Sequence, residues 1–339
     1  MLVPREEEAA RVEGSRPRTV LVTGATGVVG RHLVPALLRQ GSRVRCLVRR
    51  PDSAAPLASS AAEIVSGSVE DRDAVARALD GCRVVFHLAA ADAAEGDAIL
   101  QRTNVDGTRT VLEAARAAGT ERVVHVSTVA VHGAVGSPPA DEDAPLEPGD
   151  AYQRTKLEGE NLAREYSQEG LAVVILRPAS LYGPGDVRLL PLFRLALRRP
   201  PVLLGSGKTL YHLLYVDDLV RALVLAGEPH GPAAGTFIVA GPEATTIREL
   251  YREIAEAAGH RHPRIVRLPV RPLLAAERAT SSAGLRFPVA RRELEFFVKD
   301  RSFRTDRARD ALGFVPEISI GHGIRRTLAW YRQRGLVRR

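Results

Sequence analysis

A doubly wound parallel α/β sheet followed by a smaller C-terminal lobe is the fold that this chain of 339 residues predicts. Three observations carry that expectation. Short apolar, β-branched runs alternate with amphipathic helical stretches through the first 180 residues. That is the pattern of right-handed βαβ units with strands covered on both faces. A run of glycines spaced three residues apart follows the first strand and opens the first helix. From about Leu181 the regularity breaks, with Pro and Gly denser and the elements shorter.

In order, Thr19–Thr23 (TVLVT) reads as a buried strand. A helix follows over Val28 to Gln40, with Val29, Leu33 and Leu37 on one face, Gly41 as its stop and Pro35 bending it inside. Arg43–Val48 and Glu63–Ser66 read as strands, Asp71–Leu79 as a helix, Val84–Leu88 as a strand and Val105–Ala118 as a helix. Arg122–Ser127 is a further strand, Ala151–Gln168 a long helix and Ala172–Arg177 a strand. Beyond them come a helix at Val216–Ala226, a strand at Thr236–Ala240 and a helix at Ile247–Ala258. Residues 1–17 read as a disordered tail and 18–180 as a dinucleotide-binding domain. Residues 181–339 are mainly a substrate lobe, with 216–240 returning to the first domain.

Composition narrows the function classes. Apolar residues make up 45% and charged residues 26%, which excludes a wholly disordered chain, a collagen and a disulfide-stapled miniature. No run reaches the ~18 uncharged apolar residues that a membrane span needs. The first residues are acidic and lack an apolar core, so no secretory signal is expected, and the two cysteines, Cys46 and Cys82, suit buried thiols in a reducing cytoplasm. Residues 261–339 hold 19 Lys and Arg against 7 Asp and Glu, a net +12, within an overall charge of +8. No DNA-reading motif accompanies this basic third, so a solvated surface is expected rather than a nucleic-acid partner. Only three of the 48 basic residues are lysines: Lys156, Lys208 and Lys299.

The chemistry-bearing residues form a series. The run Thr23 to Gly30 (TGATGVVG) places Gly24, Gly27 and Gly30 between strand and helix. Gly24 allows a tight turn, Gly27 lets backbone approach a pyrophosphate, and Gly30 permits close helix–strand contact. Thr26, Val28 and Val29 share that loop and helix start. The second strand ends at Val48-Arg49-Arg50-Pro51, with no carboxylate before Asp52. Arginine there, Arg49 first, suits the 2′-phosphate of NADP over the bare ribose of NAD. The alternative is a pair of ordinary surface arginines on an arginine-rich chain. Tyr152 and Lys156 make Y-x-x-x-K at the head of the long helix, so phenol and ammonium share one face. Ser127-Thr128 lies just past a strand end, on the side where strand carboxyl ends meet a cofactor. His87 and His132 have no metal-ligand spacing to another ligand, and no metal is expected.

From Arg18 to Tyr331 the chain resembles the extended short-chain dehydrogenase/reductases of the epimerase/dehydratase superfamily. Within them it is most similar to the 3β-hydroxysteroid dehydrogenase and dihydroflavonol-reductase-like branch. The markers are TGATGVVG, VVFHLAA (Val84–Ala90), NVDGT (Asn104–Thr108), VSTVAVHG (Val126–Gly133), YQRTK, LRPASLYGPGD (Leu176–Asp186), YVDDL (Tyr215–Leu219) and ALGFVPEISIGHGI with Trp330. The resemblance implies a Rossmann-type sheet. It makes Tyr152 the general acid/base, Lys156 its partner and Thr128, five residues before Gly133, the catalytic hydroxyl. It also implies that Leu88, Ala89, Ala90, Arg177 and Pro178 line the cofactor and that a homodimer forms on paired long helices.

Departures sharpen the reading. Ser68-Val69 stands after Gly67 where the family holds an adenine-contacting Asp. Val129-Ala130 replaces the Asp-Glu of sugar dehydratases, and Tyr211-His212 the Arg-Asp that epimerases use for a substrate diphosphate. The expectation is hydride transfer between NADP and a secondary alcohol or ketone of a hydrophobic, sterol-, flavonoid- or polyketide-like substrate. Tyr182–Asp186, Tyr211–Tyr215 and Val266–Ala276 would form its pocket. A sugar epimerase and a non-catalytic cofactor-binding sensor or assembly factor are the alternatives.

Overall fold

The computed structural model describes residues 18–54, 57, 60–136, 138–260, 265–282, 285 and 294–337. The tail expected over residues 1–17 lies outside them. The chain is an α/β protein built on a seven-stranded parallel sheet, as expected, with strand order β10-β6-β5-β4-β1-β2-β3. These strands are β1 Thr19–Thr23, β2 Arg43–Val48, β3 Glu63–Ser66, β4 Val84–His87, β5 Arg122–Val126, β6 Val173–Pro178 and β10 Gly235–Val239. The described residues fall into two compact units, one of residues 18–125 with Glu158–Val174, the other of Val126–Leu157 with residues 175–337. The division cuts through β5 and β6.

In the first unit, Val20, Leu21 and Val22 of β1 are buried, as are Val84, Val85 and Phe86 of β4. Helix α1 (Val28–Arg39) buries Leu33, Val34 and Leu37, and Pro35 sits inside it on the exposed side. Helix α2 (Arg72–Leu79) starts where the Asp71 carboxylate accepts from the nitrogens of Asp73 and Ala74, satisfying two donors that a helix start leaves bare.

The helix expected over Val105–Ala118 begins earlier. Helix α3 (Asp97–Gln101) runs through a π turn at Arg102–Asp106 into α4 (Gly107–Ala117). The wide turn holds one extra residue and rotates the buried stripe, so polar Thr103 and Asn104 face inward beside Val105. That break in the 3.6-residue period hid the helix start.

In the second unit, helix α5 (Ala151–Gln168) begins, and β7 (Ser180–Tyr182), α6 (Leu190–Ala196) and β8 (Val202–Leu204) follow β6. Strand β9 (Leu210–Tyr215) pairs in parallel with β7 and antiparallel with β11 (Ala244–Thr246). Helix α7 (Val216–Gly227) buries Asp218, whose carboxylate accepts from the nitrogens of Glu317 and Ile318 and so ties down the C-terminal segment. A reciprocal capping box between Thr246 and Glu249 opens α8 (Ile247–Ala257). Strand β12 (Val266–Leu268) pairs with β8, then come α9 (Arg271–Ser282), α10 (Asp306–Leu312) and α11 (Ile320–Gln333). Both apolar residues of β12 are exposed, Val266 at 42% and Leu268 at 45%. No helix among the described residues is long and apolar enough to cross a membrane.

Candidate active site

In the first unit, strands β1, β4 and β5 run in register to a common edge, with Thr23 opposite His87 and His87 opposite His125. The glycine loop leaves β1 at that edge. Gly24 has φ +69°, and a Cβ there would stand 2.7 Å from the Ala89 nitrogen, so only glycine lets the turn pass β4's exit. At Gly30 a Cβ would lie 2.5 Å from the Gly24 oxygen, the close contact expected of it. Gly27 is exposed and forms the N-cap of α1, with no side chain on the first-turn N–H groups and no acid in that turn. Thr26, Val28 and Val29 are half-buried around it. An uncapped helix start beside bare backbone fits an anionic pyrophosphate.

The end of β2 presents Arg49 and Arg50, both exposed, and Arg49 pairs with no carboxylate among the described residues. Ser68 turns its hydroxyl oxygen toward the Glu70 nitrogen at 3.4 Å, and Val69 is buried against Gly107. Leu88 and Ala89 are half-buried and Ala90 is exposed. Burial pushes the Cys46 thiol up to about 12, which leaves it unreactive.

Behind this edge runs a buried relay. The Ala89 N–H donates to Thr23 Oγ1 at 3.2 Å, and the Thr23 hydroxyl faces His87 Nδ1 at 2.8 Å. Thr108 donates its one hydroxyl proton to the Asn104 carbonyl at 2.7 Å. It therefore accepts from His87 Nε2 at 3.0 Å, which places a proton on Nε2. Asn104 also accepts from the Ala91 nitrogen at 2.8 Å through Oδ1. Thus His87 and Asn104 brace the chain segment Ala89–Ala91. Asn104 was not singled out in the sequence, although the NVDGT run and an interrupted helical period mark it.

In the second unit, the start of α5 is closed from both sides. Asp150 Oδ1 accepts from the Gln153 nitrogen at 2.8 Å, and Gln153 Oε1 accepts from the Gly149 nitrogen at 2.7 Å. This fixes the first turn, which carries Tyr152, half-buried. One turn on, Lys156 is 5% exposed and donates from Nζ to the Val126 carbonyl at 2.6 Å. Val126 ends β5, and Thr128 follows two residues later. Thr128 Oγ1 accepts from the Ala130 nitrogen at 3.1 Å, capping a 3-10 turn over Val129–His132 and leaving the hydroxyl proton for a further acceptor. Lys156 thus binds the helix of Tyr152 to the strand that presents Thr128.

Arg177 is fully buried, and its side chain turns inward. Nη1 donates to His132 Nε2 at 3.0 Å and to the Glu142 carbonyl at 3.0 Å. Arginine is always a donor, so His132 is neutral and donates from Nδ1 to the Pro145 carbonyl at 3.2 Å. Among the described residues no group of three or more His, Cys, Asp or Glu is placed to hold a metal. His212, at a position where epimerases hold their Arg-Asp pair, is buried and donates from Nε2 to the Gly241 carbonyl at 2.9 Å.

The sequence and the fold both have known relatives. A family model described as the NAD dependent epimerase/dehydratase family matches residues 20–240. A 3beta-hydroxysteroid-dehydrogenase/decarboxylase of Arabidopsis thaliana is 30% identical over 92% of this chain and 79% of its own. The sterol demethylase protein B of Methylococcus capsulatus is 32% identical over 94% of this chain and 100% of its own. Among solved structures, MoeE5 in complex with UDP-glucose and NAD has a TM-score of 0.74 and 28% identity, covering 93% of this chain and 99% of that one.

Burial holds the pKa of His212 below its ordinary value, with the bond to the Gly241 carbonyl opposing that shift. Between the lowered value and ~6.5 the unfolded chain binds more protons than the folded one, so stability rises with pH there. It is complete above ~6.5 and is lost as pH falls through that window. Urea unfolding of the wild type and of His212→Gln between pH 5 and 7 checks this. The wild type is expected to show the steeper dependence, the other histidines being common to both.

Proposed function

Because the chain belongs to the NAD dependent epimerase/dehydratase family, we propose that it transfers hydride between NADP and a secondary alcohol or ketone of a hydrophobic substrate. The observation that carries this reading is the Lys156–Val126 bond, which ties the Tyr152 helix to the strand presenting Thr128. The cofactor, when bound at the glycine loop, supplies or accepts the hydride at its nicotinamide. Tyr152 moves the proton to or from the substrate oxygen. Thr128 donates its hydroxyl proton to that oxygen, its own oxygen being held by the Ala130 N–H. Lys156 favours the phenolate. Lowering a tyrosine from ~10 to ~7 requires about 4 kcal/mol, and a cation ~5 Å away at an effective dielectric of ~20 supplies about 3 kcal/mol.

The hydrophobic substrate is supported by relatives whose names refer to steroids and sterols. Val129-Ala130 after Thr128 offers no acid–base pair for eliminating water. A sugar-nucleotide reading draws on the likeness to MoeE5, solved with UDP-glucose. The NADP preference rests on Arg49, exposed at the end of β2 without a carboxylate competitor among the described residues.

Tyr152→Phe is expected to reduce turnover at least ~100-fold while NADPH still binds, because the phenolic proton is needed only in the reaction. Absorbance at 340 nm and a fluorescence titration measure the two. For cofactor choice, one charge-assisted contact of ~1.5–3 kcal/mol predicts NADPH binding about 10- to 150-fold tighter than NADH. Arg49→Asp is expected to reverse that order, read from both dissociation constants at physiological salt.

A further inference from the structure

We propose that Arg301, seated on Tyr211, is the residue that recognises a carboxylate on the substrate; this rests on the hydride-transfer reading above. Tyr211 stands where epimerases place an arginine for their substrate diphosphate. The second unit supplies a cation at the same place from a distant part of the chain. Arg301 Nη1 donates to Tyr211 Oη at 3.1 Å, and the guanidinium carbon lies 5.8 Å from the centre of the Tyr211 ring. The Phe296 ring packs on Tyr211 with centroids 4.1 Å apart.

The backbone around Arg301 is fixed on two sides. Its nitrogen donates to the Leu210 carbonyl and its carbonyl accepts from the His212 nitrogen, each at 2.8 Å, so residue 301 bridges to β9. Two residues on, Phe303 bridges to Ala140, in the loop between Thr128 and Tyr152. Bridges at 301 and 303 make this an extended run, in which residues two apart point to the same face. The Phe303 ring lies 5.9 Å from the ring of His132, the last residue of the turn that Thr128 caps. Arg301 therefore stands on the face that leads to the Thr128 turn, two residues and about 7 Å before Phe303.

The neighbouring cations contrast with it. Lys299 ends on Glu295, Arg304 on Asp306, Arg307 on Glu142 and Asp143, and Arg309 on Asp306 and Asp310. Arg188, beside the Tyr182–Asp186 segment, is held by Asp186. Arg301 is half-buried and meets no carboxylate among the described residues; its side chain bonds instead to the Tyr211 hydroxyl. A planar guanidinium held by one N–H keeps further donors for a bidentate acceptor. Aromatic rings on one side and a single cation suit one carboxylate on an otherwise apolar molecule. A diphosphate carries at least two charges and would call for more unpaired cations than this tract offers.

The test uses a hydrophobic secondary alcohol with a carboxylate and its methyl ester, with the wild type, Arg301→Gln and Arg301→Lys. The wild type is expected to prefer the acid over the ester about 10- to 100-fold in kcat/KM. In Arg301→Gln that ratio should collapse toward one through a raised KM for the acid, and Arg301→Lys should restore part of it. Melting temperature and the NADPH dissociation constant should stay at wild-type values, which separates lost recognition from lost structure. Calorimetric binding of the acid to each NADPH-loaded protein gives the same comparison without turnover. An unchanged acid-to-ester ratio in Arg301→Gln overturns the proposal. So does UDP-glucose binding that is lost in Arg301→Gln while acid binding persists, because the anion read is then a diphosphate. Absence of hydride transfer from either alcohol, with acid binding still dependent on Arg301, would instead contradict the reaction and leave the recognition role standing.

Discussion

An ammonium group that is 5% exposed has given up nearly all its hydration, and at Lys156 the loss is met in part by the Val126 carbonyl at 2.6 Å. Burying a charge is tolerated only when dipoles or opposite charge replace water. The position of α5 against the end of β5 therefore follows from where this cation finds its acceptor. Tyr152, one turn earlier, and Thr128, two residues beyond Val126, are carried by the two elements so joined. The closed start of α5, with Asp150 and Gln153 satisfying its free donors, removes the fraying that would otherwise blur the phenol's position.

The same economy holds through the polar interior. One ring nitrogen of His87 and one of His132 is fixed by a neighbour that leaves no choice: Thr108, committed to Asn104, accepts from His87 Nε2, and Arg177, which can only donate, makes His132 Nε2 an acceptor. These bonds brace the two stretches that the proposed chemistry needs still, the backbone after β4 and the turn after Thr128. Arg177 accordingly acts in the structure as a brace for His132 and the Glu142 carbonyl.

Much of the sheet was legible because a buried parallel strand is a short apolar run and little else. The runs at Thr19–Thr23, Arg43–Val48 and Glu63–Ser66 coincide with β1, β2 and β3, and the strand at Val84–Leu88 ends one residue early. The π turn at Arg102–Asp106 was not legible, since an inserted residue breaks the period that reveals a helix. Strands of three residues such as β7, β8 and β11 carry too few positions for alternation to register. In the Val266–Ala276 segment, apolar content alone did not say which way the strand faces, and both apolar residues of β12 lie open. Arg301 was invisible for another reason. Its neighbour Tyr211 is 90 residues away in the chain, and spacing cannot report a contact of that range.

The proposed role of Lys156, preparing Tyr152 to move a proton, is open to direct titration. The difference in ultraviolet absorbance near 295 nm between the wild type and Tyr152→Phe, followed with pH in saturating NADP, isolates the ionisation of this one phenol. A midpoint near ~7–8 is expected, well below the ~10 of an ordinary tyrosine. A midpoint at ~10 or above would contradict it.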